Sequence, residues 1–498
     1  MDEHRVLDIK PIPRDKNTRL SISQELHLAR ELMLDIRGEA NGSALLGFAL
    51  TIQGDLDAAI LCEALQTIAF RHEMLRTGFL AFAVVGNLRI QGWGQIRQVF
   101  KQTIHALRPK VGFEPIIISE PDLPFRYEDL RSLNSNEQET LITDCVVSTI
   151  GARYDYARPP LGRAVLLRTA ASTHRLIIGV SHLVFDAWSL SIFRRELAVV
   201  YQAYSANEEV LLEPLAVQYL DFAYWQRQQL QGEQLQALMS YWTNHYSEFP
   251  PLHPSDLPFF QKTKFAQRTG ALESHSFDSD FCQQLRGLAA STKTTLYMLF
   301  LMATMTVLSV YSDRKQITVA SYFANRTHPA VQHLIGDFAT PHRLGIDFSL
   351  TPRITDLLSQ IRSMVFRTLE HQDIPIQFLM NLLKQSNGLG SHSHDAPWIT
   401  CEFISYKPVK SVNNKVSIEA MSVRNRLSRV PPPQPLRFIC RERGPADITI
   451  SIHYHSDAFQ VGAIQAMLLS IEGIFREVIR DSNQPVSNLL KSICPVGG

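Results

Sequence analysis

The chain has 498 residues, a formal net charge of +1, 45% hydrophobic residues and 19% charged ones. That balance excludes a disordered or fibrous chain, and with no basic stripe carrying interleaved aromatics it offers no footprint for nucleic acid. The length is about two to three times that of a typical domain, so two large lobes are expected.

The N-terminus, MDEHRVLDIKPIPRDK, carries charges and prolines where a secretory signal would carry an apolar stretch. LSISQELHLARELML and LDAAILCEALQTIAFRHEMLRTGF repeat apolar residues at three- and four-residue spacing and predict helices. FLAFAVVGNLRIQGWGQIRQVF is hydrophobic and punctuated by glycine, and predicts strands. RAVLLRTAASTHRLIIGVSH reads as a hairpin, two β-rich runs around a polar turn. SLSIFRRELAVVYQAYSA predicts a helix with Ser189 as its N-cap, and VQYLDFAYWQRQQL predicts another, aromatic on one face. SEFPPLHPSDLPFF holds four prolines and cannot be a regular helix or a central strand. The lobe boundary is therefore expected there, giving an N-terminal lobe over 1–248 and a C-terminal lobe over 249–498.

Beyond the boundary, the apolar run from Leu296 to Val310 is too short, at ~15 residues, for the ~18–20 that span a bilayer, and predicts a buried helix. QITVASYFAN, WITCEFISY and DITISIHYH predict strands, while ITDLLSQIRSMVFRTLEH and VGAIQAMLLSIEGIFREVIRD predict helices. SNGLGSHSHD and the proline-stiffened SRVPPPQPL predict loops. Hairpins mixed with helices, without steady β–α alternation, imply an α/β protein of two lobes with mixed sheets. Cys62, Cys145, Cys282, Cys401, Cys440 and Cys494 are scattered, with no C-x-x-C pair, and are expected to be buried thiols of a reducing, cytoplasmic protein with no membrane segment.

Few stretches carry chemistry. SHLVFDAWS, residues 181–189, lies between a strand-like and a helix-like run, which puts His182 at a strand end and Asp186 in the loop. Such a pair is either an active-site loop or a satisfied core histidine with a capping aspartate. HEMLR at His72 lacks the second histidine of a zinc protease motif. His453 and His455 alternate along a strand without an evident third ligand, and an exposed strand face is the expected reading. His392 and His394 fall in a Ser/Gly loop, and GLG at Gly388 is not followed by the helix a phosphate loop requires. No G-x-S-x-G elbow occurs. No metal site is expected.

Several strings together resemble one family. SHLVFDAWS resembles the H-H-x-x-x-D-G-W-S motif of the condensation domains of nonribosomal peptide synthetases, in the chloramphenicol acetyltransferase-like superfamily. RHEMLRTGF, YDYARPPLGRAVLLR, VQYLDFAYWQR, ANRTHPAVQHLIGDFAT, EHQDIPIQFL and LSISQ resemble further motifs of that family and follow in family order, from about Leu20 to Asp481. The resemblance implies a V-shaped pseudo-dimer of two chloramphenicol-acetyltransferase-like lobes with an active-site tunnel between them. It implies an acyltransferase that moves an acyl or peptidyl group from a carrier-protein phosphopantetheine thioester to an amine, forming an amide. No cofactor would be bound by the chain itself; the pantetheine arm comes from a donor carrier protein, and a second carrier can present the acceptor.

By the same resemblance His182 is the catalytic residue, as base or as positioning group, a choice the residues leave open. Asp186 would fix the loop by pairing with an arginine, with Arg326 the first candidate and Arg76 the second. Ser181, Ala187, Trp188 and Thr340 would line the substrate tunnel. Three of these depart from the family pattern: Ser181 replaces the first motif histidine, Ala187 the motif glycine and Thr340 an asparagine. The stretch from Leu80 to Glu120 is also longer than the pattern. These departures keep open a catalytically degenerate domain that binds carriers or recruits partners; within the enzyme class, a free-standing acyltransferase using a soluble amine or alcohol is a separate alternative.

Overall fold

A computed structural model describes residues 8–15, 18–37, 45–85, 88–103, 110–261, 269–350, 352–385, 399–405, 416–421, 432 and 434–493. The loops predicted over 386–395 and over most of 428–436, with Gly388, His392 and His394, lie outside these residues, as does Cys494. The chain forms two compact units. The first comprises Met1–Gly232, Ala324–Ala339 and Val409–Arg426; the second comprises Glu233–Phe323, Thr340–Pro408 and Leu427–Gly498. A single cut between 248 and 249 does not describe this partition. The helix preceding the prolines belongs with the second unit, and two later segments return to the first.

In the first unit, α1 (Ile22–Arg37) buries Ile22, Leu28 and Leu32 on one face. β1 (Leu45–Gly54) leads to α2 (Ala58–Arg71), whose N-cap Asp57 accepts from the amides of Ala59 and Ile60. A short 3-10 turn over Glu73–Arg76 ends the helical character predicted to reach Phe79. β2 (Thr77–Val85) and β3 (Leu88–Gln91) are strands, as the glycine-punctuated stretch predicts. The remainder of that stretch is instead a helix, α3 (Trp93–Thr103). Gly92 adopts a φ of 95°, which breaks the strand, and Trp93 and Ile96 then fall at helical spacing, Ile96 fully buried. β4 (Lys110–Ile117) pairs with β2, closing a three-stranded antiparallel sheet in the order β3-β2-β4.

β5 (Phe125–Asp129), α4 (Ser135–Gly151), β6 (Gly162–Ala170) and β7 (Thr173–Ser181) follow. β6 and β7 form the predicted hairpin, and β7 is buried along almost its whole length, the mark of a central strand. Gly47 of β1 and Gly179 of β7 face each other across the sheet. A Cβ on Gly47 would overlap the Ile150 side chain, and one on Gly179 the Thr149 carbonyl, so the glycine pair lets α4 lie against the sheet. α5 (Ala187–Ala206) starts directly after the loop that β7 feeds, and α6 (Tyr219–Gln229) follows it.

The second unit holds α7 (Gly232–Glu248), β8 (Gly270–Ser276), α8 (Ser279–Ser291) and α9 (Leu296–Ser312). The predicted apolar helix is α9, and it is the centre of this unit's core, buried on nearly every side. Among the described residues no single helix is long and apolar enough to cross a membrane. β9 (Gln316–Phe323), β10 (Thr340–Asp347), α10 (Ile354–Glu370), α11 (Ile376–Gln385) and β11 (Ile399–Ser405) come next. β12 (Val416–Met421) then returns to the first unit and pairs antiparallel with β1, completing the order β12-β1-β7-β6-β5. β13 (Leu436–Gly444), β14 (Asp447–His455), α12 (Val461–Arg480) and a last short helix, α13 (Val486–Ser492), finish the second unit, whose sheet runs β10-β9-β11-β13-β14-β8. Both large sheets are mixed: β5–β6 in one, and β9–β11 and β11–β13 in the other, are parallel among antiparallel neighbours.

Candidate active site

The site grows from the end of β7. Ser181 closes the strand fully buried, and its hydroxyl accepts from the Leu183 amide at 3.3 Å. The Val184 amide donates to the Ser181 carbonyl at 3.1 Å, so the chain turns tightly within the loop. Leu183, Val184 and Phe185 are buried, and Phe185 stacks on Phe48 with Phe193 edge-on to both. His182, between buried Ser181 and Leu183, is half-buried. An apolar, tightly turned loop thus carries one histidine that is not closed off as its neighbours Ser181 and Leu183 are. Ser181 supports this turn from inside and does not line a passage, because its side chain is closed off and engaged by backbone.

Asp186 is the N-cap of α5, at φ −119° and ψ 179°. Ser189, expected as the cap, is instead the capped residue: its amide donates to Asp186 at 2.8 Å and its hydroxyl at 2.7 Å. Arg326 Nη2 donates to both Asp186 oxygens, at 3.0 and 3.1 Å, and the Phe338 amide adds a further bond at 3.2 Å. Both members of this ion pair are almost completely excluded from solvent. Burial lowers the Arg326 guanidinium from its ordinary value, and Asp186 opposes that shift. Arg326 Nη1 donates to the carbonyls of Val331 and Leu334, and its guanidinium lies 4.0 Å from the Phe338 ring centroid. Arg76 is elsewhere, donating to the carbonyls of Phe70 and Ile118 at 3.2 and 2.7 Å, and takes no part in this pair.

Ala187 and Trp188 open α5 and are exposed. The Trp188 indole donates to the Gln332 carbonyl at 3.1 Å. Ala187 does not adopt a positive φ, so its backbone does not require glycine. Thr340 belongs to the second unit, at the start of β10, where its buried hydroxyl lies 3.2 Å from His342 Nε2 and donates to the Gln372 carbonyl at 3.4 Å.

Further residues secure the loop. Gln24 of α1, fully buried, donates its amide to the Leu183 carbonyl at 2.7 Å. His27, one turn further along the same helix, is half-buried; burial, helped by nearby His182, holds its imidazole down at about 3. The Tyr219 hydroxyl donates to the Asp337 carbonyl at 2.6 Å and lies 3.0 Å from Ser21 Oγ at the start of α1. Buried His72 braces the same segment. Its Nδ1 accepts from the Ile335 amide at 3.3 Å, so Nε2 carries the proton that bonds Glu196 at 2.8 Å. Gln24, His72 and Phe338 all lie within strings that the sequence singles out, but their contacts with the loop have no local signature. His27 has no signal beyond its spacing from Gln24. His455, expected on an exposed face, is buried with Nε2 on the Pro432 carbonyl at 2.8 Å.

An α/β protein of two mixed-sheet units, with one half-buried histidine on a strand-to-helix loop locked by a buried carboxylate–guanidinium pair, has the fold and motif loop of a chloramphenicol-acetyltransferase-like chain. The family model "Condensation domain" matches residues 114–492, and the chain belongs to that family. Over 378 residues it is 30% identical to malpinin synthetase of Mortierella alpina, covering 76% of this chain and 4% of that protein. Over 443 residues it is 27% identical to a chondramide synthase of Chondromyces crocatus, covering 89% of this chain and 10% of that protein. The chain therefore spans a small part of the synthetases it matches. Among solved structures, the X-domain from teicoplanin biosynthesis superposes with a TM-score of 0.72 at 19% identity, covering 97% of this chain and 99% of that one. The first condensation domain of the calcium-dependent antibiotic synthetase, in complex with a substrate analogue, superposes at 0.71 and 15% identity, covering 94% and 97%. At these identities the two establish a shared fold.

Proposed function

We propose that the chain is an acyltransferase that moves an acyl or peptidyl group from a carrier-protein phosphopantetheine thioester to an amine, forming an amide in nonribosomal peptide synthesis. The observation that carries this reading is His182 itself: a half-buried imidazole on a loop whose flanking groups are locked, in a chain of the condensation-domain family. Thioester aminolysis needs a neutral amine, a fixed line of attack and somewhere for the amine proton to go. His182 holds the amine by one N–H and takes that proton as the C–N bond forms. The C–S bond then breaks, and the leaving thiolate takes the proton. Asp186 and Arg326 act one step removed, holding the end of the loop and the start of α5 in place. The pantetheine arm and the carrier proteins are partners in this reading, and the chain itself binds no cofactor in it.

A second reading has one specific observation in its favour. Ser181 replaces the first motif histidine, and the X-domain that superposes on this chain has also been solved in a complex with OxyB. A domain that recruits a partner without catalysis would share the fold. The two are separated by intact-protein mass spectrometry of a panel of acyl-carrier proteins incubated with this chain and amine acceptors. Loss of the acyl mass from the carrier with formation of the amide supports transfer. Replacing His182 by alanine should lower that rate roughly 10²–10⁴-fold while the protein stays folded. Equal product from folded His182→Ala protein would remove His182 from the mechanism. No product from wild type with any pair would favour recruitment.

A further inference from the structure

We propose that His27 is a second imidazole of this site and that His27 and His182 together select a primary amine over an alcohol as acceptor, an inference that rests on the acyl-transfer reading above. The placement comes from α1. The Gln24 amide grips the Leu183 carbonyl at 2.7 Å, and Gln24 and Leu183 are both fully buried, so the register of the helix against the loop is fixed. A residue three positions on lies on the same helix face, which brings His27 beside the residue that precedes Leu183, His182. His27 and His182 are both half-buried, whereas Gln24, Leu28, Ser181 and Leu183 around them are closed off.

The imidazole that the family motif carries at 181 is here a serine, whose hydroxyl accepts from the Leu183 amide. The second imidazole of this site comes instead from another element. Burial, and the repulsion a charged His182 would add, keep His27 neutral over the working pH range. A neutral imidazole presents one nitrogen lone pair as an acceptor. Two acceptors facing one nucleophile match a primary amine, which has two N–H donors, and leave one acceptor unmatched by an alcohol or a secondary amine. One N–H goes to His182, which takes its proton as the C–N bond forms and passes it to the leaving thiolate. The other N–H stays on nitrogen, hydrogen-bonded to His27, and becomes the amide N–H. A site built to bond a particular group rejects the analogue that lacks it more strongly than an apolar site rejects a change of size.

The test uses the full chain, donors from the acyl-carrier panel and three matched acceptors: alanyl-, N-methylalanyl- and lactyl-pantetheine. Wild type should prefer the alanyl acceptor. In His27→Leu the alanyl-to-lactyl ratio of kcat/KM should fall roughly tenfold or more, the effect of one lost hydrogen bond. His27→Gln, whose side-chain carbonyl accepts, should restore most of that ratio. An active His27→Leu protein with an unchanged ratio overturns the proposal. Histidine-labelled protein read by NMR gives an answer without turnover: alanyl-pantetheine should move the resonances of both His27 and His182, and lactyl-pantetheine mainly those of His182. An unmoved His27 overturns the proposal even if transfer occurs. Absence of product from wild type with all three acceptors, alongside a His27 shift, counts against the acyl-transfer reading and not against the paired imidazoles.

Discussion

Asp186 does two jobs with one carboxylate: it caps α5 through the Ser189 amide and neutralises Arg326. These jobs separate by substitution. Asp186→Asn keeps an oxygen for the cap but strands a buried guanidinium, and Arg326→Met strands a buried carboxylate. Each should cost about 3–5 kcal/mol in urea unfolding, because the remaining charge has no counter-ion. The double variant should lose less than the sum of the two, since neither charge is then left behind. Additive losses would mean that the pair is not coupled. Ala187 behaves differently. It is an exposed first-turn residue without positive φ, so Ala187→Gly relieves no strain and should lower stability by up to about 1 kcal/mol. A stabilised glycine variant would show that the backbone there is strained after all.

At the scale of elements, the chain order of helices and strands was largely legible because α1, α5, α9 and α12 carry apolar stripes or solid apolar faces, and β6 and β7 carry β-rich runs about a polar turn. α3 was not legible, because apolar residues crowd too densely before Gly92 for a change of period to show. Strands such as β5, with few apolar residues and a mixed burial pattern, have no period-2 signature either. The loop motif marked His182 and Asp186, but the helix cap resolved to Asp186 only once the turn was visible. Contacts made across the fold, such as Gln24 on Leu183, are not encoded in any window.

One element-level arrangement yields a pH prediction. In the second unit, Trp242 of α7 stacks on His342 of β10 with ring centroids 4.6 Å apart, and His245 lies on the Arg343 carbonyl at 2.9 Å. Burial lowers both imidazoles to about 4. An unfolded chain protonates them near 6.5. Above pH 6.5 both states are neutral and the stability is fully present; as pH falls from 6.5 toward 4, the unfolded state takes up protons first and stability is lost. By pH 4 the loss should approach about 3 kcal/mol for the fully buried His342 and less for the half-buried His245. Urea unfolding at a series of pH values from 7.5 down to 4 measures it. His342→Gln keeps a donor for the Gln372 carbonyl and should flatten the dependence. The same pH dependence in both proteins would place its origin elsewhere.

At the scale of the whole molecule, sequence order and spatial order part company. The first unit is not finished by its first 232 residues, because Ala324–Ala339 and Val409–Arg426 belong to it as well. The earlier of these brings Arg326 to Asp186 and fills the unit's core with Val331, Leu334, Ile335 and Phe338; the later adds β12 beside β1 as the edge strand of the sheet. Prolines mark where a chain turns, but they carry no information about which later segment comes back, so no composition boundary reports this partition. A fragment of residues 1–232 would therefore keep a buried Asp186 without its cation, an open core and an unpaired β1 edge. The stranded carboxylate alone costs about 3–5 kcal/mol, a large share of the ~5–15 kcal/mol that holds an ordinary domain folded. Such a fragment should aggregate or melt without a cooperative transition. A synthetic peptide of residues 324–339 added to it should raise the melting signal, and the Arg326→Met form of that peptide should raise it far less. A fragment that unfolds cooperatively alone, with a midpoint the peptide does not shift, would show that the returning segments decorate the first unit and do not complete it.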